Sequence, residues 1–203
     1  MPALPKKPIA IIVLLLTFAC VGILFWYSEW QYSLPTPVPA QYHAVASGEY
    51  IGVSKKFISE KNKPIFLHFF NPDCPCSRFN MPHFKGLAKK YGNEISFAVV
   101  VITSDKDYTE EIIRKKYALT MPILFDTSLA VICGVYSTPQ AVLLTANEQL
   151  YYRGNYNRSR YCTDKKSNYA QIAIDALLAS KQEPAFNNYA LTAYGCSLPN
   201  CKK

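Results

Sequence analysis

The sequence predicts an α/β domain with a mixed central sheet flanked by helices, preceded by one N-terminal transmembrane helix. Three observations predict it. An uncharged apolar run extends from Pro8 to Tyr27. Short β-branched and aromatic runs then alternate with segments of helical spacing. Two strand-like segments joined by a tight turn, and one last amphipathic helix, close the pattern.

Taken in order, residues 1–7 carry Lys6 and Lys7 and read as a cytoplasmic N-terminus. Residues 8–28 form the transmembrane anchor. At about 1.5 Å per residue the apolar run reaches roughly 30 Å, the hydrocarbon thickness of a bilayer. Positive charge before it and Trp26, Tyr27, Trp30 and Tyr32 at its exit orient it with the following domain outside the cytoplasm. A cleaved signal peptide fits less well, because the run is longer than a usual apolar core and no A-x-A-like site follows. The expected location is therefore the inner (cytoplasmic) membrane, single-pass through an uncleaved signal anchor, with the C-terminal domain in the periplasm. Residues 29–44, with Pro35, Pro37 and Pro39, read as a stiff linker.

Residues 45–181 make the domain. Pro64–Phe70 is apolar on both faces apart from His68 and suits a buried central strand. Asn71-Pro72-Asp73 breaks it. Pro75 to Tyr91 has helical spacing, with Phe79, Pro82, Phe84, Leu87 and Tyr91 expected in the core and a kink at Pro82. Ile95–Thr103 is the second strand. Tyr108–Ala118 is a helix with acids first and bases last, as the helix dipole favours. Pro122–Asp126 is a short strand and Ser128–Cys133 a short helix or turn. Gln140–Thr145 and Gln149–Arg153 form a hairpin, and Tyr169–Lys181 the final helix. Residues 182–203 are an irregular, cysteine-containing tail.

Roughly 160 residues follow the linker, enough for one core and too few for a large multidomain enzyme. One apolar span excludes a polytopic transporter. The formal charge is +8, but the basic residues are scattered and no nucleic-acid motif accompanies them, so a basic surface facing a membrane explains them and no nucleic-acid partner is expected.

Outside the cytoplasm, cysteines mean disulfide chemistry first. Cys20 lies in the apolar run, which leaves Cys74, Cys76, Cys133, Cys162, Cys196 and Cys201. No paired Cys-x-x-Cys units or matching histidines point to zinc, and no metal or organic cofactor is expected. Cys74 sits at a strand-to-helix turn with Pro75 directly after it, a residue favoured at the first helical position. As cap of the helix, Cys74 faces unpaired N–H groups and the positive end of the dipole. That setting favours a thiolate and hence a nucleophile. Cys74 and Cys76 are within reach of each other for a tight bridge, since two residues span at most about 7 Å. The alternative is that a distant thiol resolves the mixed disulfide formed on Cys74.

The stretch Phe69-Phe70-Asn71-Pro72-Asp73-Cys74-Pro75-Cys76-Ser77, with Met81-Pro82 beyond it, resembles the active-site region of membrane-anchored thioredoxin-like (redoxin) proteins of the bacterial envelope. Gly134-Val135-Tyr136-Ser137-Thr138-Pro139 is similar to the turn carrying that family's cis-proline, and Leu150-Tyr151-Tyr152-Arg153-Gly154 to its closing hairpin. The resemblance covers about residues 45–180. The motif is an atypical Cys-Pro-Cys: Ser77 stands where the family has its second cysteine, and Asp73 where thioredoxins have tryptophan. The resemblance implies a thioredoxin-like fold and a thiol–disulfide oxidoreductase acting on protein thiols or disulfides, supplied with electrons by a membrane or soluble redox partner. It makes Cys74 and Cys76 the catalytic candidates and Thr138 and Pro139 the residues that dock substrate backbone. His68, where thioredoxins carry a buried acid, becomes a candidate proton relay. Cys133, Cys162, Cys196 and Cys201 are candidates for a resolving or a structural role, with Cys196–Cys201 as one pairing; the tail Tyr194-Gly195-Cys196-Ser197-Leu198 resembles the cysteine-bearing ending of some redoxin-like relatives. Two other functions compete: a copper(I) metallochaperone using Cys74, Cys76 and Met81 or His83, and a non-catalytic module whose cysteines are staples.

Overall fold

The alternation of side chains along the first strand decides the layering. A computed structural model describes residues 6–53 and 62–199, so Lys55, Lys56, Lys61 and Cys201 lie outside the described residues. The chain divides into two units, residues 1–34 and 35–203. In the first, helix α1 (Lys6–Ser33) is long and apolar enough to cross a membrane.

In the second unit, β1 (Ile65–Phe70) is buried along its whole length. Ile65, Leu67 and Phe69 join one apolar cluster and Phe66 and Phe70 the other, as a two-residue period requires. After α2 (Pro75–Tyr91), strand β2 (Ser96–Val101) pairs parallel with β1. Helix α3 (Glu110–Tyr117) starts at a Thr109 cap and ends on Ala118 in the left-handed region, φ 50°. It leads to β3 (Ile123–Leu124), parallel to β2. Helix α4 (Thr127–Ile132) and the two-residue strand β4 (Ser137–Thr138) precede β5 (Gln140–Leu144), which runs antiparallel to β1. The hairpin to β6 (Leu150–Gly154) completes a sheet ordered β3-β2-β1-β5-β6. Helix α5 (Tyr169–Leu178) packs its alanines and Ile174 into the cluster that also holds α2. The larger cluster therefore receives α2, α3 and α5, and the smaller one α4.

Phe66 lies at the centre of the larger cluster, fully buried and within 6.2 Å, centroid to centroid, of Phe84, Phe97 and Tyr156. Phe66→Ala is expected to cost about 3–5 kcal/mol, lost transfer energy plus a cavity that three fixed rings cannot close. A drop in the urea midpoint at unchanged slope checks this.

Three features differ from the sequence-based expectation. The buried face of α2 is Cys76, Ser77, Asn80, Met81, Phe84, Leu87 and Tyr91. Phe79 is turned outward against Tyr161 (5.1 Å) and Pro82 is exposed, because both fall off the helical stripe that Asn80, Phe84, Leu87 and Tyr91 define. The tail after residue 181 is not irregular throughout. It forms α6 (Asn188–Leu191) and β7 (Cys196–Ser197), and β7 pairs antiparallel with β4. Helix α6 is held on the end of β6 by Asn155, whose Nδ2 donates to Tyr189 O (2.7 Å) and Thr192 O (2.6 Å). The close approach explains Gly154, where a Cβ would meet Ala190 O at 2.2 Å. Finally, the proline-rich stretch is not all spacer. Thr36 is buried, its N–H donates to Ala193 O (2.7 Å) and its Oγ1 to Gly195 O (2.6 Å).

Candidate active site

The end of β1 and the start of α2 form one floor of the site. Asn71 breaks the strand: its Oδ1 accepts from Asp73 N (2.8 Å), and its own N–H donates to Ser77 Oγ (3.3 Å). This turn delivers Cys74 to the N-cap of α2 in an extended conformation (φ −80°, ψ 118°), with Pro75 as the first helical residue. No side chain caps the helix there, so the first N–H groups of α2 converge on the region of Cys74. Asp73 is engaged by Tyr108, whose OH donates to Oδ1 (2.7 Å). That bond raises the Tyr108 pKa to about 12.

The opposite wall is β4. Thr138 and Pro139 are joined by a cis peptide bond, and Thr138 O lies 3.6 Å from Cys74 Sγ. β7 occupies the outer edge of β4, with Thr138 paired to Cys196 and Ser137 to Ser197. That register sets Cys196 Sγ 2.7 Å from Cys74 Sγ. Cys74 is fully buried and Cys196 is 1% exposed, so the tail shields both sulfurs from solvent. Further contacts fix the tail. Asn71 Nδ2 donates to Pro199 O (3.1 Å), Leu198 N donates to Tyr136 O (3.2 Å), and Thr36 Oγ1 lies 3.2 Å from Ser137 Oγ.

The remaining candidates are distributed over the domain. Cys76 is buried in the first turn of α2. Cys133 packs in the smaller cluster, where burial raises its pKa to about 12. Cys162 packs against the larger cluster on the other face of the sheet, accepting from Asn80 Nδ2 (3.3 Å). Burial raises it, too, to about 12. With the sheet between them, Cys133 and Cys162 are not brought together. His68 is fully buried on β1, stacked on Phe84 (4.3 Å), with Nδ1 2.7 Å from Tyr156 OH. Burial lowers its pKa to about 3, and Nε2 has no hydrogen-bond partner among the described residues. Met81 is built into the larger cluster, and His83 is half-buried with its ring 5.9 Å from Tyr156, edge-on. Among the described residues, no group of three His, Cys, Asp or Glu is placed to hold a metal ion.

Thr36, which holds the tail, and Tyr156, which bonds His68, were not named in the sequence reading; Asn71, Ser137 and Gly195 were named there, but not as residues that hold the tail.

A parallel β1–β2–β3 half, an antiparallel β5–β6 hairpin, a cis-proline ahead of β5 and a cysteine at the start of α2 define a thioredoxin-like domain. Residues 43–198 match the family model described as a domain of unknown function, DUF6436, and the chain belongs to that family. Over 92 residues it is 26% identical to the thiol-disulfide oxidoreductase ResA of Halalkalibacterium halodurans. The match takes in 44% of this chain and 52% of ResA, so the chain spans about half the length of that curated relative. A hypothetical protein of Sinorhizobium meliloti 1021 superposes with a TM-score of 0.61 at 18% identity, covering 79% of this chain and 98% of that one. An uncharacterized conserved protein of Geobacillus kaustophilus gives 0.54 at 20% identity, over 62% and 72%.

Proposed function

We propose that this protein is a membrane-anchored thiol–disulfide oxidoreductase in which Cys74 is the nucleophile and Cys196 the resolving thiol. The observation that carries the reading is the 2.7 Å approach of Cys196 Sγ to Cys74 Sγ across the β4–β7 ladder. The likeness to ResA supports the reaction class. The Cys74 thiolate, favoured by the open N-terminus of α2, attacks a substrate disulfide and expels one thiolate. Cys196 then attacks Cys74 Sγ, expelling the second. The substrate gains two electrons and the Cys74–Cys196 dithiol loses two, to be restored by a dithiol redox partner.

Cys196 is the better-supported partner, because its Sγ lies 2.7 Å from Cys74 Sγ, while Cys76 is buried in the first turn of α2. Cys133 and Cys162, held as thiols by burial in separate clusters, serve as packing residues. Thr138 and Pro139 present the backbone edge on which substrate pairs. His68, with little affinity for a proton, acts in packing and in its bond to Tyr156 more readily than as a relay. α1 anchors the chain in the inner membrane with the domain on the periplasmic side, where protein thiols and disulfides are its substrates. Lys6 and Lys7, at the N-terminal end of the helix before its apolar run, support that orientation.

The full-length protein in detergent, equilibrated in glutathione buffers of graded potential, alkylated and mapped by mass spectrometry, tests the reading. A reversible transition in Cys74 and Cys196 together is expected. A Cys74–Cys76 bridge would replace Cys196 as the resolving residue, and a Cys74 that never changes state would remove the redox function.

A further inference from the structure

The tail does more than deliver a sulfur. β7 uses the backbone of β4 as a docking edge, pairing Thr138 with Cys196 and Ser137 with Ser197. An incoming substrate strand would need the same edge to bring its own sulfur to Cys74. With β7 in place, no other chain reaches Cys74, which has no exposed surface.

We propose that β7 is a built-in copy of the substrate strand, and that the site takes extended protein segments in which glycine directly precedes the reacting cysteine. The proposal rests on Cys74 being the nucleophile. The geometry at Gly195 sets the requirement. A Cβ there would lie 2.0 Å from Thr138 O, 2.6 Å from Thr138 C and 2.7 Å from Ser137 Oγ. The first two are backbone atoms of the docking edge itself, so a larger residue cannot be accommodated by turning a side chain away. On the outer side, Thr36 Oγ1 donates to Gly195 O, closing the channel around the strand.

Beyond the cysteine the strand runs into an apolar groove of about 850 Å³, lined by Tyr42, Val131, Val135, Tyr136, Leu198 and Pro199 among others. Leu198 packs against the smaller core cluster there. A substrate segment in the tail's register therefore carries an apolar residue two positions after its cysteine.

Turnover is an exchange of strands. β7 leaves, and the Gly-Cys segment of a disulfide-bonded substrate pairs with β4. Cys74 attacks the sulfur of that segment, forming a mixed disulfide while the substrate's other thiolate departs and takes a proton from water. β7 then returns and displaces the segment from β4. Cys196 attacks Cys74 Sγ, and the segment leaves as a thiolate. One disulfide has been reduced and one formed.

Two peptides with the tail's residues, Tyr-Gly-Cys-Ser-Leu-Pro and Tyr-Ala-Cys-Ser-Leu-Pro, each carried as a mixed disulfide with nitrothiobenzoate, test this on the reduced full-length protein. The expected result is release of the coloured thiolate about tenfold or more faster from the Gly-Cys peptide, the effect of a clash with fixed backbone. In the full chain, Gly195→Ala is expected to expose Cys74 and raise its alkylation rate by a similar factor. Equal rates for the two peptides would overturn the proposal whether or not that variant folds. Attack on free dithio-bis-nitrobenzoate but on neither peptide would overturn it as well, leaving Cys74 as nucleophile. No attack on any of the three would remove the oxidoreductase reading and this inference with it.

Discussion

Cys74→Ser is expected to lower the reduction of a protein disulfide by about a thousandfold or more, the scale seen when a covalent nucleophile is removed. Cys196→Ser is expected to behave differently. The first attack remains, because Cys74 keeps its place at the start of α2, but no thiol stands 2.7 Å away to complete the exchange. The mixed disulfide should accumulate as a covalent adduct of protein and substrate, visible by mass spectrometry and absent from the Cys74→Ser protein. Cys76→Ser should retain turnover within a few fold, since the proposed mechanism gives its thiol no part in either attack. Adduct accumulating in Cys76→Ser and full turnover in Cys196→Ser would reverse the two roles. Comparison of the three variants separates the nucleophile, the resolving thiol and the bystander more sharply than the activity of any one of them.

Why the sequence singles out one of these cysteines and leaves the other among several candidates is a matter of range. Cys74 is announced locally: a buried apolar strand, an Asn-Pro break and a proline one residue on place it at a helix start without any knowledge of the fold. β1, the β5–β6 hairpin and the long helices were legible for the same reason, each being specified by a period within its own residues. Cys196 has no such structural context, only the likeness of Tyr194–Leu198 to the cysteine-bearing ending of some redoxin-like relatives. β7 is two residues long, has no alternation to detect, and exists because the edge of Ser137–Thr138 is open to receive it. Its partner lies far away in sequence, so no local pattern could choose among Cys133, Cys162, Cys196 and Cys201. Thr36 was hidden likewise, a single polar residue in a proline-rich stretch whose partners, Ala193 and Gly195, are in the tail. The outward turn of Phe79 shows the limit from the other side, since being apolar did not decide its face once the stripe through Asn80 and Phe84 had been set.

The domain should lose stability as pH falls below about 6.5, and His68 is the main cause. Its imidazole is fully buried between Phe84 and Tyr156, and burial lowers its pKa from 6.5 to about 3. In the unfolded chain the same ring titrates normally. Above pH 6.5 both states hold it neutral and it contributes no pH dependence. Between about 6.5 and about 3 the unfolded state binds a proton that the folded state refuses, so protons favour unfolding, by about 1.4 kcal/mol per pH unit. From pH 7 to pH 5 this amounts to about 2 kcal/mol, a large share of a domain's stability. His83, half-buried and also lowered by desolvation, acts in the same direction. Carboxylates held below their usual range, such as Asp164 with its bonds from Ser167 and Lys166, do so at lower pH. Urea midpoints at pH 7 and pH 5 for the native chain and for His68→Gln separate the contributions. The variant should be less stable at pH 7, because the stacking on Phe84 is lost, yet lose about 2 kcal/mol less than the native chain on going to pH 5. An equal loss in both would mean that His68 accepts its proton in the folded state. The ring would then take up a proton inside the folded domain, as the relay role requires.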